Sequence, residues 1–224
     1  MNSTPDQPLL QVEKTTLNIL VADDHSIVRL GLKMLIRSIN NRFNIEEAID
    51  GESVIGKLKS ARFDLLILDI NMPNTESFSL TSYLIKEFPT LKILIFSMTQ
   101  EAFFAKRFLR LGVRGYITKQ SKEPEIRYAV QQIIDGQIYI SDLLSTIISD
   151  DLMNDKKSNP FEDLTDREFE VILQILKGSS ISEIAETLHI NKSSVGTHKS
   201  RILNKLRLSN TMELLSLARL HNIL

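Results

Sequence analysis

Five side chains in the first half of the chain can act together on a phosphoryl group, and each sits at the end of a short apolar run. Asp23 and Asp24 follow Leu17–Ala22, and Asp69 closes Asp64–Asp69. Ser97 closes Leu91–Ser97, and Lys119 comes directly after Arg114–Thr118. Three carboxylates packed together repel one another, so at neutral pH they want a divalent cation. Hard oxygen ligands, few of them from the protein, with substrate phosphate completing the shell, favour Mg2+. A carboxylate can attack phosphorus and hold it as an aspartyl phosphate. Charge developing on the transferred oxygens needs the metal on one side and a cation such as Lys119 on the other. A hydroxyl at Ser97 can bond a phosphoryl oxygen once it arrives.

These groups converge only if their strands lie side by side. The first half reads as alternating strands and helices. Strands are expected at Leu17–Ala22, Phe43–Ala48, Asp64–Asp69, Leu91–Ser97 and Arg114–Thr118. Helices are expected after Asp24, at 51–60, 77–87 and 101–111, and from Glu123 to Asp135, where Gly136 is the stop signal. The first of these carries Ile27, Leu30, Met34 and Leu35 at helical spacing. Apolar strands alternating with helices imply a parallel sheet covered on both faces. Ligand groups collect beyond the carboxyl ends of such strands, and the order 2-1-3-4-5 makes the four chemistry-bearing strands adjacent.

The Asp/Asn/Lys/Ser/Pro cluster of DDLMNDKKSNP marks a linker within residues 141–162, after the apolar stretch DLLSTIIS. Beyond it there is no strand pattern. Thr165-x-x-Glu168 and Ser180-x-x-Glu183 are capping boxes. The first opens a helix expected to bury Phe169, Ile172, Leu173 and Leu176. The second opens one with Ile181, Ile184, Ala185 and Leu188 on one face. A short turn leads to Asn191, read as the cap of a third helix, and Ser209-Asn210 starts a fourth. Charge separates along this half. Residues 161–190 carry two basic and seven acidic side chains, and residues 191–224 carry six basic and one acidic. Two helices joined by a short turn, the second one basic, is the helix-turn-helix arrangement.

Composition excludes several alternatives. The chain has 224 residues, a net charge of −1, 42% hydrophobic and 25% charged residues, which is ordinary for a folded chain of one or two domains. It contains no Cys, which removes disulfides, thiol catalysis and cysteine-ligated metals, and its four His are scattered. Apolar runs such as Leu65–Leu68 and Ile93–Phe96 are far too short to span a membrane. No secretory leader is legible at the N-terminus, so a cytoplasmic protein is expected.

The strings VADDH, LLILDINMP, ILIFS and GYITK make residues 17–140 resemble a response-regulator receiver domain. The resemblance implies a flavodoxin-like α/β fold and makes Asp69 the phosphoacceptor. It implies that Asp24 and Asp69 ligate Mg2+ directly, Asp23 through water, with the Asn71 backbone carbonyl completing the set. Ser97 and Tyr116 match the family's hydroxyl/aromatic switch pair, and Lys119 its lysine. Ser77 stands where the family usually has Gly, and Met98 is bulkier than the common residue there, which narrows phosphoryl access. Residues 164–210, from LTDREFE to KLRLSN, resemble the LuxR-type helix-turn-helix of NarL/FixJ regulators. That resemblance makes Ser193–Lys205 the recognition helix. Lys192, Ser193, Ser194, Lys199, Arg201 and Lys205, together with Arg207, are then expected against DNA phosphates, and Gly196, Thr197 and Ser200 against bases. His198 is expected to pack in the turn. The organisation implied is an N-terminal extension (1–15), a receiver (16–140), a linker (141–162) and a separate all-α four-helix DNA-binding domain (163–224). The expected partners are a sensor histidine kinase, DNA and a second copy of the chain, with no membrane. Two other readings are a regulator that binds DNA without phosphorylation and an aspartyl-phosphate phosphatase. The phosphatase reading is disfavoured because Asn71 stands where a second Asp is needed.

Overall fold

The computed structural model describes residues 16–73, 75–99, 101–154, 159–221 and 223. The extension expected at 1–15 lies outside them. Five short strands form one parallel sheet in the order β2-β1-β3-β4-β5. They are β1 (Asn18–Ala22), β2 (Asn44–Ala48), β3 (Leu65–Leu68), β4 (Lys92–Ser97) and β5 (Gly115–Thr118). The order and every strand agree with the sequence pattern to within a residue or so at each end.

Side-chain alternation divides the core. Ile19, Val21, Leu65, Ile67, Leu94, Phe96 and Ile117 face α1 (Ser26–Ile39) and α5 (Glu123–Ile134). Leu20, Ala22, Leu66, Leu68, Ile93, Ile95 and Tyr116 face α2 (Gly51–Ser60), α3 (Ser77–Glu87) and α4 (Glu101–Leu111). A strand buried on both faces needs this continuous apolar run. Helix α1 corrects one expectation. Its core face is Leu32 and Ile36, whereas Ile27, Leu30 and Met34 point to solvent. Helical spacing identified a stripe there, but not which side the sheet lies on.

The stretch read as linker is partly helical. Residues Asp142–Asn154 form α6, which packs on α4 with Leu144 fully buried. Leu144 N–H donates to Ser141 Oγ at 3.0 Å at its start. The short stretch DLLSTIIS does not mark a helix by itself, and the surface of α4 that covers it lies outside its own sequence window. A 3-10 turn, Pro160–Asp163, then leads into α7 (Asp166–Leu176), α8 (Ile181–Thr187), α9 (Lys192–Leu206) and α10 (Thr211–Leu220). Both capping boxes form as read. Gly178 has φ +84 and turns the chain between α7 and α8, a conformation that suits glycine. Two local readings change: Ile181 is exposed, and Asn191 sits at the N-cap of α9 without a side-chain capping bond.

The helical domain docks on the receiver, and one buried apolar cluster runs through both. Phe78 of α3 stacks on Phe108 of α4 with ring centroids 4.3 Å apart. Phe169 of α7 meets Phe78 and Phe104 edge-on at 5.9 and 5.4 Å. The Arg107 guanidinium lies 4.3 Å over the Phe169 ring and donates to the Leu164 carbonyl at 3.0 Å. Such cation–π contacts strengthen when water is excluded, and Arg107 is buried. Ion pairs flank this centre: Lys106 with Glu162 at 2.8 Å, and Arg167 with Glu76 at 2.9 Å.

Candidate functional site

Parallel pairing aligns the strand ends. Ala22 registers with Leu68, Leu68 with Ile95, and Ser97 with Thr118. Two further ladder bonds, Asp69 N–H to the Ala22 carbonyl and Lys119 N–H to the Ser97 carbonyl, both 2.8 Å, carry the alignment past the strands. The expected groups are thereby brought together. Lys119 Nζ lies 2.6 Å from Asp23 Oδ2 and 2.8 Å from Asp69 Oδ2. Asp23 and Asp69 are both buried, and Asp24 is exposed at the rim. One ligand atom from each of Asp23, Asp24, His25 and Asp69 falls within 4.8 Å of the others. His25 was not singled out from the sequence, although it closes the VADDH string.

The electrostatics follow from this burial. Desolvation pushes the Asp69 carboxyl above its ordinary range, and the Asp23 charge adds to it, against hydrogen bonds from Lys119 and the Asn71 N–H. Burial opposes the Lys119 charge, but the two carboxylates outweigh it and hold its pKa above the usual lysine value. One ammonium cannot neutralise three carboxylates. The hard oxygen donor set of Asp23, Asp24 and Asp69 fits a divalent cation such as Mg2+.

A hydroxyl network borders the acids. Asn71 Nδ2 donates to Ser97 Oγ at 2.8 Å and to Thr99 Oγ1 at 3.0 Å. Ser97 Oγ donates to Thr99 Oγ1 at 3.2 Å, and Tyr116 OH donates to the Thr99 carbonyl at 2.9 Å. Thr99 thus ties Ser97 to Tyr116. Nothing in its local context distinguishes it beyond its place two residues after Ser97. Met98 is exposed, with its side chain turned out to solvent. Ser77 begins α3 without a left-handed backbone, so this chain needs no glycine there.

In the helix-turn-helix, Val195, Ile202 and Leu206 anchor α9 inward. Lys192, Ser193, Thr197, Ser200 and Arg201 are exposed, while Ser194, Gly196 and Lys199 are half-buried. A Cβ added at Gly196 meets open space. Lys205 differs from expectation: its ammonium pairs with Glu168 at 2.7 Å and bonds the Asp163 carbonyl at 3.2 Å. It closes α9 onto α7 instead of standing free with the other cations. Arg207 is exposed and adopts the left-handed conformation that ends α9. His198 lies within α9 and not in the turn, half-buried with Nδ1 shielded from solvent.

A parallel five-stranded sheet with an acid–hydroxyl–lysine cluster at its carboxyl edge, joined to a helix-turn-helix, defines a DNA-binding response regulator. Residues 19–131 match the response regulator receiver domain, and residues 162–218 match the bacterial regulatory proteins of the luxR family. The chain belongs to this family, in its NarL/FixJ branch. It is 33% identical over 210 residues to the oxygen regulatory protein NreC of Staphylococcus epidermidis, covering 90% of this chain and 96% of that one. Among solved structures it resembles the RcsB response regulator of Salmonella typhimurium, with a TM-score of 0.74 and 25% identity over 90% of this chain and 96% of that chain. It also resembles RcsB from Salmonella enterica serovar Typhimurium bound to promoter P1flhDC in the presence of phosphomimetic BeF3−. That match has a TM-score of 0.73 and 25% identity and covers 91% of this chain and 98% of that chain. No helix among the described residues is long and apolar enough to cross a membrane.

Proposed function

We propose that a sensor histidine kinase phosphorylates Asp69 and that this controls promoter binding by the C-terminal domain, acting as a homodimer in the cytoplasm. The observation that carries the reading is the buried Asp69 carboxylate, aligned at the strand edge with Asp23, Ser97 and Lys119. A carboxylate oxygen of Asp69 attacks phosphorus. The phosphorus–nitrogen bond to the donor imidazole breaks as the new phosphorus–oxygen bond forms, and the imidazole regains a proton from solvent. Mg2+ held by Asp23, Asp24, Asp69 and the Asn71 carbonyl would supply charge neutralisation on the phosphoryl oxygens. Lys119 exchanges part of its pairing with Asp69 for a phosphoryl oxygen. Ser97 Oγ turns from Thr99 to donate to another, and this loosens the Thr99 tie to Tyr116. The protein accepts the group and does not turn over external substrates.

On DNA, α9 enters the major groove. Lys192, Ser193, Ser194, Lys199 and Arg201 contact phosphates, and Gly196, Thr197 and Ser200 face bases. Lys205 is left out of this set because Glu168 holds it. Intact-mass measurement after treatment with acetyl phosphate and Mg2+ tests the acceptor. The wild type gains one phosphoryl group, and Asp69→Asn gains none. A full adduct on Asp69→Asn removes the assignment.

A further inference from the structure

We infer that His25 is a ligand of the divalent-cation site and sets its metal preference, so that this receiver takes nitrogen-accepting transition metals as well as Mg2+; the inference rests on the cation site proposed above. His25 occupies the N-cap position of α1 but makes no capping bond with its side chain. Its imidazole is turned back onto the acids instead, with Nδ1 2.8 Å from Asp24 Oδ1 and 3.3 Å from Asp23 Oδ1. The His25 backbone N–H donates to Asp23 Oδ1 at 2.8 Å, which fixes the residue beside the cluster. A ring nitrogen and three carboxylate oxygens span no more than 4.8 Å. Ligands on opposite sides of an ion at about 2.1 Å lie about 4.2 Å apart, so the set closes on an ion with shifts of a few tenths of an ångström.

The chemistry of the donors decides which ion gains. Carboxylates alone suit Mg2+, which has little affinity for imidazole. Adding imidazole raises affinity for Ni2+, Co2+ and Zn2+ well above the increment for Mg2+. His25 therefore leaves Mg2+ binding as it is and adds a second class of ion that competes for the same acids.

Two substitutions in the full-length protein separate a ligand from a hydrogen-bonding neighbour. Gln at 25 keeps a donor for Asp24 but loses the ring nitrogen, and Ala loses both. Calorimetric titration with Mg2+ and with Ni2+ is the measurement. The Ni2+ event that saturating Mg2+ suppresses is the one assigned to the acids, which sets aside binding at the other histidines. We expect His25→Gln to weaken that event at least about tenfold, the lower end of what losing even an outer partner costs a metal site. Mg2+ affinity should change less than about twofold, given how weakly Mg2+ takes nitrogen. Mn2+ bound to the wild type should show nitrogen modulation in pulsed electron paramagnetic resonance, and His25→Gln should abolish it. Equal Ni2+ affinity in wild type and His25→Gln, or no nitrogen coupling in the wild type, overturns the role of His25 while Mg2+ binding stands. Absence of any Mg2+ binding to the wild type overturns the cation site itself, and His25 with it.

Discussion

Lys119 shows how one side chain holds the acidic edge together. It spans two buried carboxylates, and removing one partner of a buried ion pair leaves uncompensated charge. Lys119→Met should cost about 3 kcal/mol in metal-free buffer. Added Mg2+ should restore part of the loss, because an ion that binds only the folded acids stabilises by mass action. Urea unfolding with and without Mg2+ measures both, and a variant as stable as wild type without metal removes the ammonium from this role. Glu168 gives the pH counterpart. Burial works to raise its pKa, but the Lys205 ammonium and the Thr165 backbone N–H outweigh it and hold it below the ordinary glutamate value. A carboxylate depressed in the folded state contributes stability above its unfolded pKa and loses it as pH falls through the folded one. Acid unfolding of the wild type should therefore steepen below pH 4.5. Glu168→Gln should be less stable by about 1–2 kcal/mol at pH 7, from the lost charged hydrogen bond, and show a flatter pH profile below that point. Parallel profiles for the two proteins would assign the acid sensitivity elsewhere.

The elements divide by whether their information is local. Four of the five strands, β1, β3, β4 and β5, are apolar runs closed by chemistry-bearing residues, and β2 alternates as a half-buried strand, so both the sheet and its acidic edge can be read from the sequence. The capping boxes of α7 and α8 are likewise local signals. What escaped depends on tertiary partners. The outward turn of Ile27, Leu30 and Met34, the covering of α6 by α4, and the capture of Lys205 by Glu168 cannot be found within any window of neighbouring residues. The same holds for Thr99, whose role comes from Asn71 and Tyr116, 28 and 17 residues away. Gly196 tests the reverse case, a residue whose sequence cost is plain. A helical glycine costs about 1 kcal/mol against alanine, and the space around this one is open. Gly196→Ala should stabilise the protein by about 0.5–1 kcal/mol in thermal unfolding. On the base-facing role proposed for Gly196 it should also weaken specific promoter binding, since a Cβ would hold α9 away from the base edge, while non-specific binding stays nearly unchanged. Equal affinity for the natural site would mean that close approach is not why the glycine is there.

For the whole molecule, the segregated charge acquires a meaning that net charge conceals. The acidic stretch 161–190 turns much of its charge to the domain interface, where Glu162 meets Lys106, Asp166 meets Arg107, and Glu170 accepts from Ser79. The basic stretch that follows keeps Lys192 and Arg201 in solvent on the exposed face of α9. Docking therefore uses the 3-10 turn and α7 and leaves the face of α9 that carries Lys192 and Arg201 uncovered. In this arrangement the receiver does not cover the exposed face of α9, so, on the role proposed for α9, domain opening by itself should add little DNA affinity. Arg107→Ala examines this, since Arg107 joins the two domains through the Leu164 carbonyl and the Phe169 ring. Hydrogen exchange should rise across residues 160–169 in the variant, with the β-sheet amides unchanged, which would report loosened docking. Non-specific DNA affinity of the unphosphorylated variant should stay within about threefold of wild type, with the same salt dependence, because Lys192 and Arg201, proposed as phosphate contacts, are already exposed in the docked arrangement. Lys199→Ala serves as the control for sensitivity and should lower the salt slope by about one. A rise of tenfold or more in Arg107→Ala affinity would show that docking hides the recognition helix after all. Equal affinity with raised exchange would leave pairing of two recognition helices in a dimer as the step that phosphorylation governs.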